Sequence, residues 1–385
     1  MKKIFGSKKI LIGLIVLAMG FVLFGINNHI KEEKRIEIIR QKVNNAKHGT
    51  FVDIGLAKVS RRGHIAITLK DEKVLLAGGG NGKKAAIYDP KTYQFKPIGT
   101  PIGLPMSDVG MQGVLLSDGN ALLTSSGCLN LYNYKKNLFS VLKDNVASPH
   151  NAGLTVLNNG KVLITRSGDD TCRIYDPKTG SFSPAGNMIK NRTNYATTLL
   201  PNGKVLITGG FDIKENNGAW PSLKTAEIYD PITNKFSKTG NMNYKHALHT
   251  ATLLPKGKVL IVGGYPNAEL YDYKTGKFYL SGKTTVTRSR FHTATLLKNG
   301  NVLIVGGRNS ETRHGQLDSS GAEIYDPINY NENLAEIYDL NENKFYRTGF
   351  LNHPATEHRA TLLDDGKVLI TGGFTAGRRA ELYIP

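Results

Sequence analysis

From residue 50 onward the chain is written in one repeating unit, and a repeat of this length restricts the fold more than any other feature of the sequence. The clearest copies are YATTLLPNGKVLITGG from Tyr195, HTATLLPKGKVLIVGG from His249, HTATLLKNGNVLIVGG from His292 and HRATLLDDGKVLITGG from His358. Weaker copies start at His64, Met111 and Ala152, which makes seven starts. In most copies two short runs rich in Val, Ile, Leu and Thr flank an Asn-Gly, Lys-Gly or Asp-Gly turn, the pattern of a tight hairpin. A third run carries Tyr88, Tyr132, Tyr175, Tyr229, Tyr271, Tyr338 or Tyr383, and six of these are followed seven residues later by Phe95, Phe139, Phe182, Phe236, Phe278 or Phe345. The link between them, of the DPKTG kind, sets Asp, Pro and Gly in positions that favour a turn.

Four strands per unit, at a period near 43 residues, predict an all-β fold of radially stacked blades: a β-propeller with seven four-stranded blades. A lone four-stranded sheet leaves both faces open, so blades must stack, with Tyr and Phe filling the wedge between neighbours. The Gly-Gly pair after the second strand allows backbone to approach backbone. Units two and three carry Ser125-Ser126 and Arg166-Ser167 there, so those blades are expected to differ locally. The last unit stops at Pro385 without its phenylalanine, whereas Phe51 to Gly55 repeats the F-x-x-x-G spacing of Phe236 to Gly240. The N-terminal strand is therefore expected to complete the last blade and cover an otherwise open edge. The doubled AEIYD at Ala322 and Ala335 reads as a lengthened loop, since an eighth blade would need four strands.

The Gly-Gly pair, the spaced tyrosine and the following aromatic, here Phe where Trp is usual, resemble the kelch family over Phe51 to Pro385. The HTATLLPKGKVLI openings are most similar to bacterial kelch repeats of the galactose-oxidase-like kind. The resemblance implies the propeller; it does not imply one function, because the fold carries binding proteins and enzymes alike.

Ahead of the repeats, Ile10 to Ile26 carry no charge and follow Lys2, Lys3, Lys8 and Lys9. At about 1.5 Å per residue such a run reaches roughly 26 Å, enough for a slightly thinned bilayer core. Its small-x-small triplet, Ala18-Met19-Gly20, lies inside the apolar run, so the segment is expected to stay as a single-pass signal anchor. The basic flanks nearly balance, and the lysine-rich head is assigned to the inside, with the propeller extracellular at the cell membrane. His29 to His48 is charged, with Ile36, Ile39 and Val43 at helical spacing, and reads as a short amphipathic stalk helix ended by Gly49. The expected divisions are 1–28 anchor, 29–49 stalk and 50–385 propeller, the last monomeric.

The net charge of +19 is spread through turns such as PKTG and PNGK and is not interleaved with aromatics, so nucleic acid is not expected as a partner. In this fold the long loops gather on one face: Phe211 to Lys224 with Trp220, Arg308 to Ser320, and Phe374 to Arg379. Variable loops on a rigid scaffold are where recognition sits. The same face collects Arg62, His64, His150, Asn151, Arg192, Asn194, His249, Arg288, Arg290, His292 and His358 beside the innermost strands. Around a channel mouth they would suit a carboxylated sugar or acidic polymer. Histidine recurs there in four units, however, and a backbone-satisfying role in each blade explains that equally.

The leading expectation is a binding module for a glycan, an anionic wall polymer or a protein, needing no cofactor and no metal. The alternative is a carbohydrate-active enzyme resembling the sialic-acid mutarotases or epimerases. Copper-radical oxidation of the galactose oxidase kind is disfavoured, because it needs a Cys crosslinked to a Tyr beside histidine ligands. Cys128 and Cys172 instead fall on third strands and read as packing residues, with a disulfide between them left open. No nucleophile elbow, P-loop, HExxH or zinc-type cysteine spacing is present.

Overall fold

The computed structural model describes all residues except 1, 58–59, 80–84, 102–110, 126–127, 143–152, 167–169, 214–219, 309–330 and 375–376. The side chains of 2–18, 20, 125, 128 and 331 also lie outside the description. The chain divides into two compact units, Met1–Ala46 and Lys47–Pro385.

The first unit is one helix, Lys2–Asn44, where the sequence suggested a separate short helix after the apolar run. The segment between them contains no proline, and an interior Gly25 costs a helix only about 1 kcal/mol. Along this helix Arg35 pairs with Glu32 and Arg40 with Glu37, each at 2.7 Å and three residues apart. Among the described residues no helix is long and apolar enough to cross a membrane.

The described residues of the second unit form seven four-stranded antiparallel sheets. Blade 1 comprises Ile65–Thr68, Val74–Ala77, Ala86–Asp89 and Gln94–Pro97. Gln112–Leu115, Gly153–Val156, Ala196–Leu199, Thr250–Leu253, Thr293–Leu296 and Arg359–Leu362 are the innermost strands of blades 2 to 7. Each packs beside the next, and that of blade 7 beside that of blade 1, so the ring closes around a channel.

The second strands are buried along their whole length, as in Val205–Thr208 and Val302–Val305, because a neighbouring blade covers each face. The core is accordingly a series of clusters bridging successive blades; one joins Leu163 and Ile174 of blade 3 to Val205, Ile207 and Tyr229 of blade 4. Within each blade the third-strand tyrosine tilts against the fourth-strand phenylalanine, as for Tyr271 and Phe278 at 4.7 Å between centroids. Cys172 is a buried free thiol in the cluster at Tyr195, and burial pushes it up to about 12. The third strand of blade 6, Leu334–Asp339, uses the second AEIYD copy; the first falls outside the described residues, as do Ser126 and Ser167.

Thr50–Leu56 is the fourth strand of blade 7, paired with Arg379–Ile384. Phe51 lies opposite Tyr383 with ring centroids 5.0 Å apart, the place that Phe345 takes against Tyr338 in blade 6. Both phenylalanines are buried. Phe51→Ala and Phe345→Ala should each cost about 3 kcal/mol in urea denaturation. A cost below about 1 kcal/mol for Phe51→Ala alone would mean that the N-terminal strand does not hold the ring closed.

Candidate functional site at the channel mouth

Each histidine that heads an innermost strand reaches back into the preceding blade. Nε2 of His64 lies 2.9 Å from Thr371 Oγ1, that of His249 2.8 Å from Thr208 Oγ1, and that of His358 2.9 Å from Thr293 Oγ1. His292 Nε2 donates to the Val262 carbonyl at 3.1 Å. In blade 4, Tyr195 takes the place and its hydroxyl donates to the Thr165 carbonyl at 3.0 Å. The Gly-Gly pair makes room for the ring: at Gly306, where φ is 59°, a Cβ would strike the Ala355 carbonyl and lie 2.9 Å from His358 Cε1. Burial holds all four imidazoles well below their ordinary range, His292 and His358 at about 3. They are neutral at physiological pH.

A second set of basic side chains is bonded within its own blade. Arg61 and Arg192 donate from Nη1 to the carbonyls of Gly78 and Gly209 at 2.8 and 2.6 Å, Arg288 does so to Gly306, and His246 Nδ1 donates to Gly263 at 2.5 Å. Third-strand glutamates complete the arrangement. Glu227 accepts from the backbone of Ile189 and Lys190 and pairs with Arg192 at 2.5 Å; Glu336 accepts from Thr285 N and pairs with Arg288 at 3.0 Å. These carboxylates clamp the segments that lead into blades 4 and 6, and the charges of Arg192 and Arg288 are paired there.

The residue immediately before each of the inner-strand heads has a left-handed backbone: Gly63 (φ 60°), Asn194 (54°), Leu248 (55°), Phe291 (65°) and Glu357 (57°). For leucine, phenylalanine and glutamate this costs roughly 1 kcal/mol or more. Part of the compensation is a collar of bonds between blades, Leu248 N to Asn194 O at 3.0 Å, Glu357 N to Phe291 O at 3.4 Å and Gly63 N to Glu357 O at 2.7 Å.

Beside this collar the guanidinium carbons of Arg62 and Arg308 lie 5.2 and 5.0 Å from the centroid of the Phe374 ring, which is exposed. Arg62 is 3.8 Å from the buried Glu357 carboxylate, and Arg308 is 3.3 Å from Glu332. Arg290 stands over Phe291 at 5.4 Å; desolvation first, then the charge of Arg308, lowers it from its ordinary value, with Glu357 opposing. Next to Arg290 is an open cleft of about 440 Å³ that includes Phe211, Lys245, Leu248, Tyr265 and Ser289. Tyr265 stacks on Tyr244 at 4.7 Å and offers one face to solvent.

The candidates read from the sequence therefore separate into groups. His64, His249, His292, His358, Arg192 and Arg288 are buried and bonded within or between blades, although His249 and His292 also border the channel. Arg62, Asn194 and Arg290 are partly exposed at the collar, and Trp220 is exposed beside Pro221 of the cleft. His150 and Asn151 lie outside the described residues. Sequence reasoning missed Glu357 and Tyr265 as mouth residues, and it placed Phe211, Arg308 and Phe374 on this face only as the first residues of the long loops. Four of these follow Gly-Gly directly, in GGF, GGY, GGR and GGF, a position legible in the repeat alignment.

A family profile, described as the kelch motif, matches residues 192–243. The match falls on blade 4 of the seven-bladed β-propeller. No curated protein sequence matches the chain. Among solved structures, a streptogramin B lyase is similar at 14% identity and a TM-score of 0.62, over 87% of this chain and 97% of its own. A fungal alcohol oxidase of the AA5 family in complex with copper is similar at 17% identity and a TM-score of 0.53, over 83% and 84%. YjhT is similar at 15% identity and a TM-score of 0.51, over 84% and 94%. These likenesses show the fold alone. The described residues do not fit the copper site that the oxidase resemblance implies: no three His, Cys, Asp or Glu side chains gather, and Cys172 is packed in the core.

The neutral, buried imidazoles give stability a pH dependence. A histidine at about 3 when folded and about 6.5 when unfolded binds its proton in the unfolded chain first, so stability is full above pH 6.5 and falls as pH drops toward 3. At pH 5 each of His292 and His358 should have lost about 2 kcal/mol. Urea titrations between pH 7 and 5 should show a shallower loss for His358→Gln than for the natural chain. Equal slopes would mean that His358 is protonated while folded.

Proposed function

We propose that the chain is a membrane-anchored binding propeller that presents its loop-rich face to an acidic glycan or wall polymer. The observation that supports this is the placement of Arg62 and Arg308 against the exposed Phe374 at the channel mouth, with Arg290 beside Arg308 and next to the aromatic cleft at Tyr265. Guanidinium groups recognise carboxylates through paired N–H donors, and an aromatic face suits the apolar side of a sugar ring. The mouth thus combines both halves of an acidic carbohydrate, whereas scattered surface lysines supply only charge.

Binding to uronic-acid oligomers and to their carboxyl-reduced counterparts, measured with the full chain in detergent at two ionic strengths, tests this. The acidic oligomer should bind in preference, and Arg62→Gln or Arg290→Gln should weaken it roughly tenfold or more. Equal binding of the reduced oligomer, or weak and salt-sensitive binding to every polyanion, would reduce the site to diffuse charge.

Ile10 to Ile26 is proposed to hold the chain in the cell membrane with the propeller outside. Alkaline carbonate should leave it in the membrane fraction, and an impermeant amine reagent should label propeller lysines in intact cells. Extraction by carbonate, or labelling only after lysis, would contradict anchor or orientation respectively.

A second reading, a carbohydrate-active enzyme, is favoured by Glu357. Its buried carboxylate has an oxygen without a hydrogen-bond partner, beside Arg62, where a proton could be moved on a bound sugar. Faster anomer exchange of an acidic monosaccharide, seen by proton NMR and abolished in Glu357→Gln, would select it.

A further inference from the structure

Six of the seven innermost strands begin with an uncharged residue, and the seventh begins with Arg359. Its guanidinium passes blade 1 and donates from Nη2 to the Met111 carbonyl at 3.3 Å, at the head of blade 2, while Nη1 donates to the His358 carbonyl at 3.3 Å. Both bonds are long, and they occupy two of the five N–H donors of an arginine. Unlike Arg192 and Arg288, Arg359 makes no ion pair among the described residues. The adjacent Glu357 carboxylate stands nearest to Arg62. Desolvation lowers Arg359 to about 10, with Glu357 opposing. This is a half-buried cation on the channel wall with no ion-pair partner within reach among the described residues, and an anion in the channel would compensate it.

Space for an anion is present. Arg359 borders a channel cavity of about 390 Å³ together with Gln112, Thr250, Thr293, His249 and His292. The Gln112 amide adds an uncharged donor. The volume suits a small ion with some water and excludes a polymer.

We infer that the channel binds one small monovalent anion, a halide or a carboxylate group, on the guanidinium of Arg359. The site is distinct from the collar arginines and does not depend on the glycan reading.

The test is thermal unfolding of the full chain in detergent, titrated with chloride or formate while a bulky sulfonate salt keeps the ionic strength fixed. The natural chain should show a saturable rise in Tm. In Arg359→Gln the rise should vanish, and the variant should melt no lower than the natural chain in the anion-poor buffer, since an uncompensated charge has gone. If that variant does not fold, chloride-35 NMR on the natural chain should show line broadening that formate reverses. Tighter chloride identifies free halide as the occupant; tighter formate identifies the carboxylate of an organic ligand. No saturable response and no broadening, or a response retained in Arg359→Gln, overturns the proposal.

Discussion

The ring is held by what happens where one blade begins and the previous one ends. A histidine or tyrosine heading an innermost strand bonds back to the preceding blade, to Thr371, Thr208, Val262, Thr293 or Thr165. Its imidazole can sit there only where glycine leaves the space, as at Gly306 and Gly372. Apolar packing between blades supplies most of the stabilisation but little direction, because Val, Ile and Leu faces tolerate sliding. The polar contact at the inner end fixes the distance between neighbours, and hence the channel.

That fixation has a local consequence. To turn from the linker into an innermost strand with the imidazole already bonded, the chain takes a left-handed residue just before it, at Asn194, Leu248, Phe291 and Glu357. Bulky residues avoid that conformation, and here the surrounding bonds determine it. The resulting collar turns Arg62, Arg290 and Glu357 to the mouth, while the residues after Gly-Gly bring Arg308 and Phe374 to the same place. The side chains at the mouth are thus set by the element that keeps the blades in register.

This explains which parts of the molecule were legible in the sequence. Blade number, the Tyr–Phe pairs and closure by Phe51 follow from local spacing, because each depends on contacts whose partners recur at fixed offsets. The partner of His249 is Thr208 in the preceding unit, which does not appear when a unit is read alone, and that of Arg192 is Glu227 of the same blade, 35 residues on, which no local spacing marks. Read together, the alignment does carry the first relation: His64, His249, His292 and His358 each follow a unit with Gly-Gly, and Tyr195 follows Arg166-Ser167. Glu357 as a mouth residue had no such signal, since its importance comes from a backbone conformation and from two arginines distant in sequence.

Charge shows the same separation between composition and structure. A net charge of +19 suggests a single cationic field, but the arginines divide by what lies within reach of each guanidinium. Arg192 and Arg288 are cancelled by Glu227 and Glu336 and act as struts. Lys161 and Lys204 pair with Asp176 and Asp230 on the turns, where solvent and salt weaken them further. What distinguishes the mouth is restraint. Arg62 and Arg308 lie against one aromatic ring, and Arg290 is partly desolvated beside them. Charges held in place and partly dehydrated discriminate between ligands, whereas mobile, hydrated ones attract any anion, so the proposed selectivity would rest on a few arginines that the total charge does not single out.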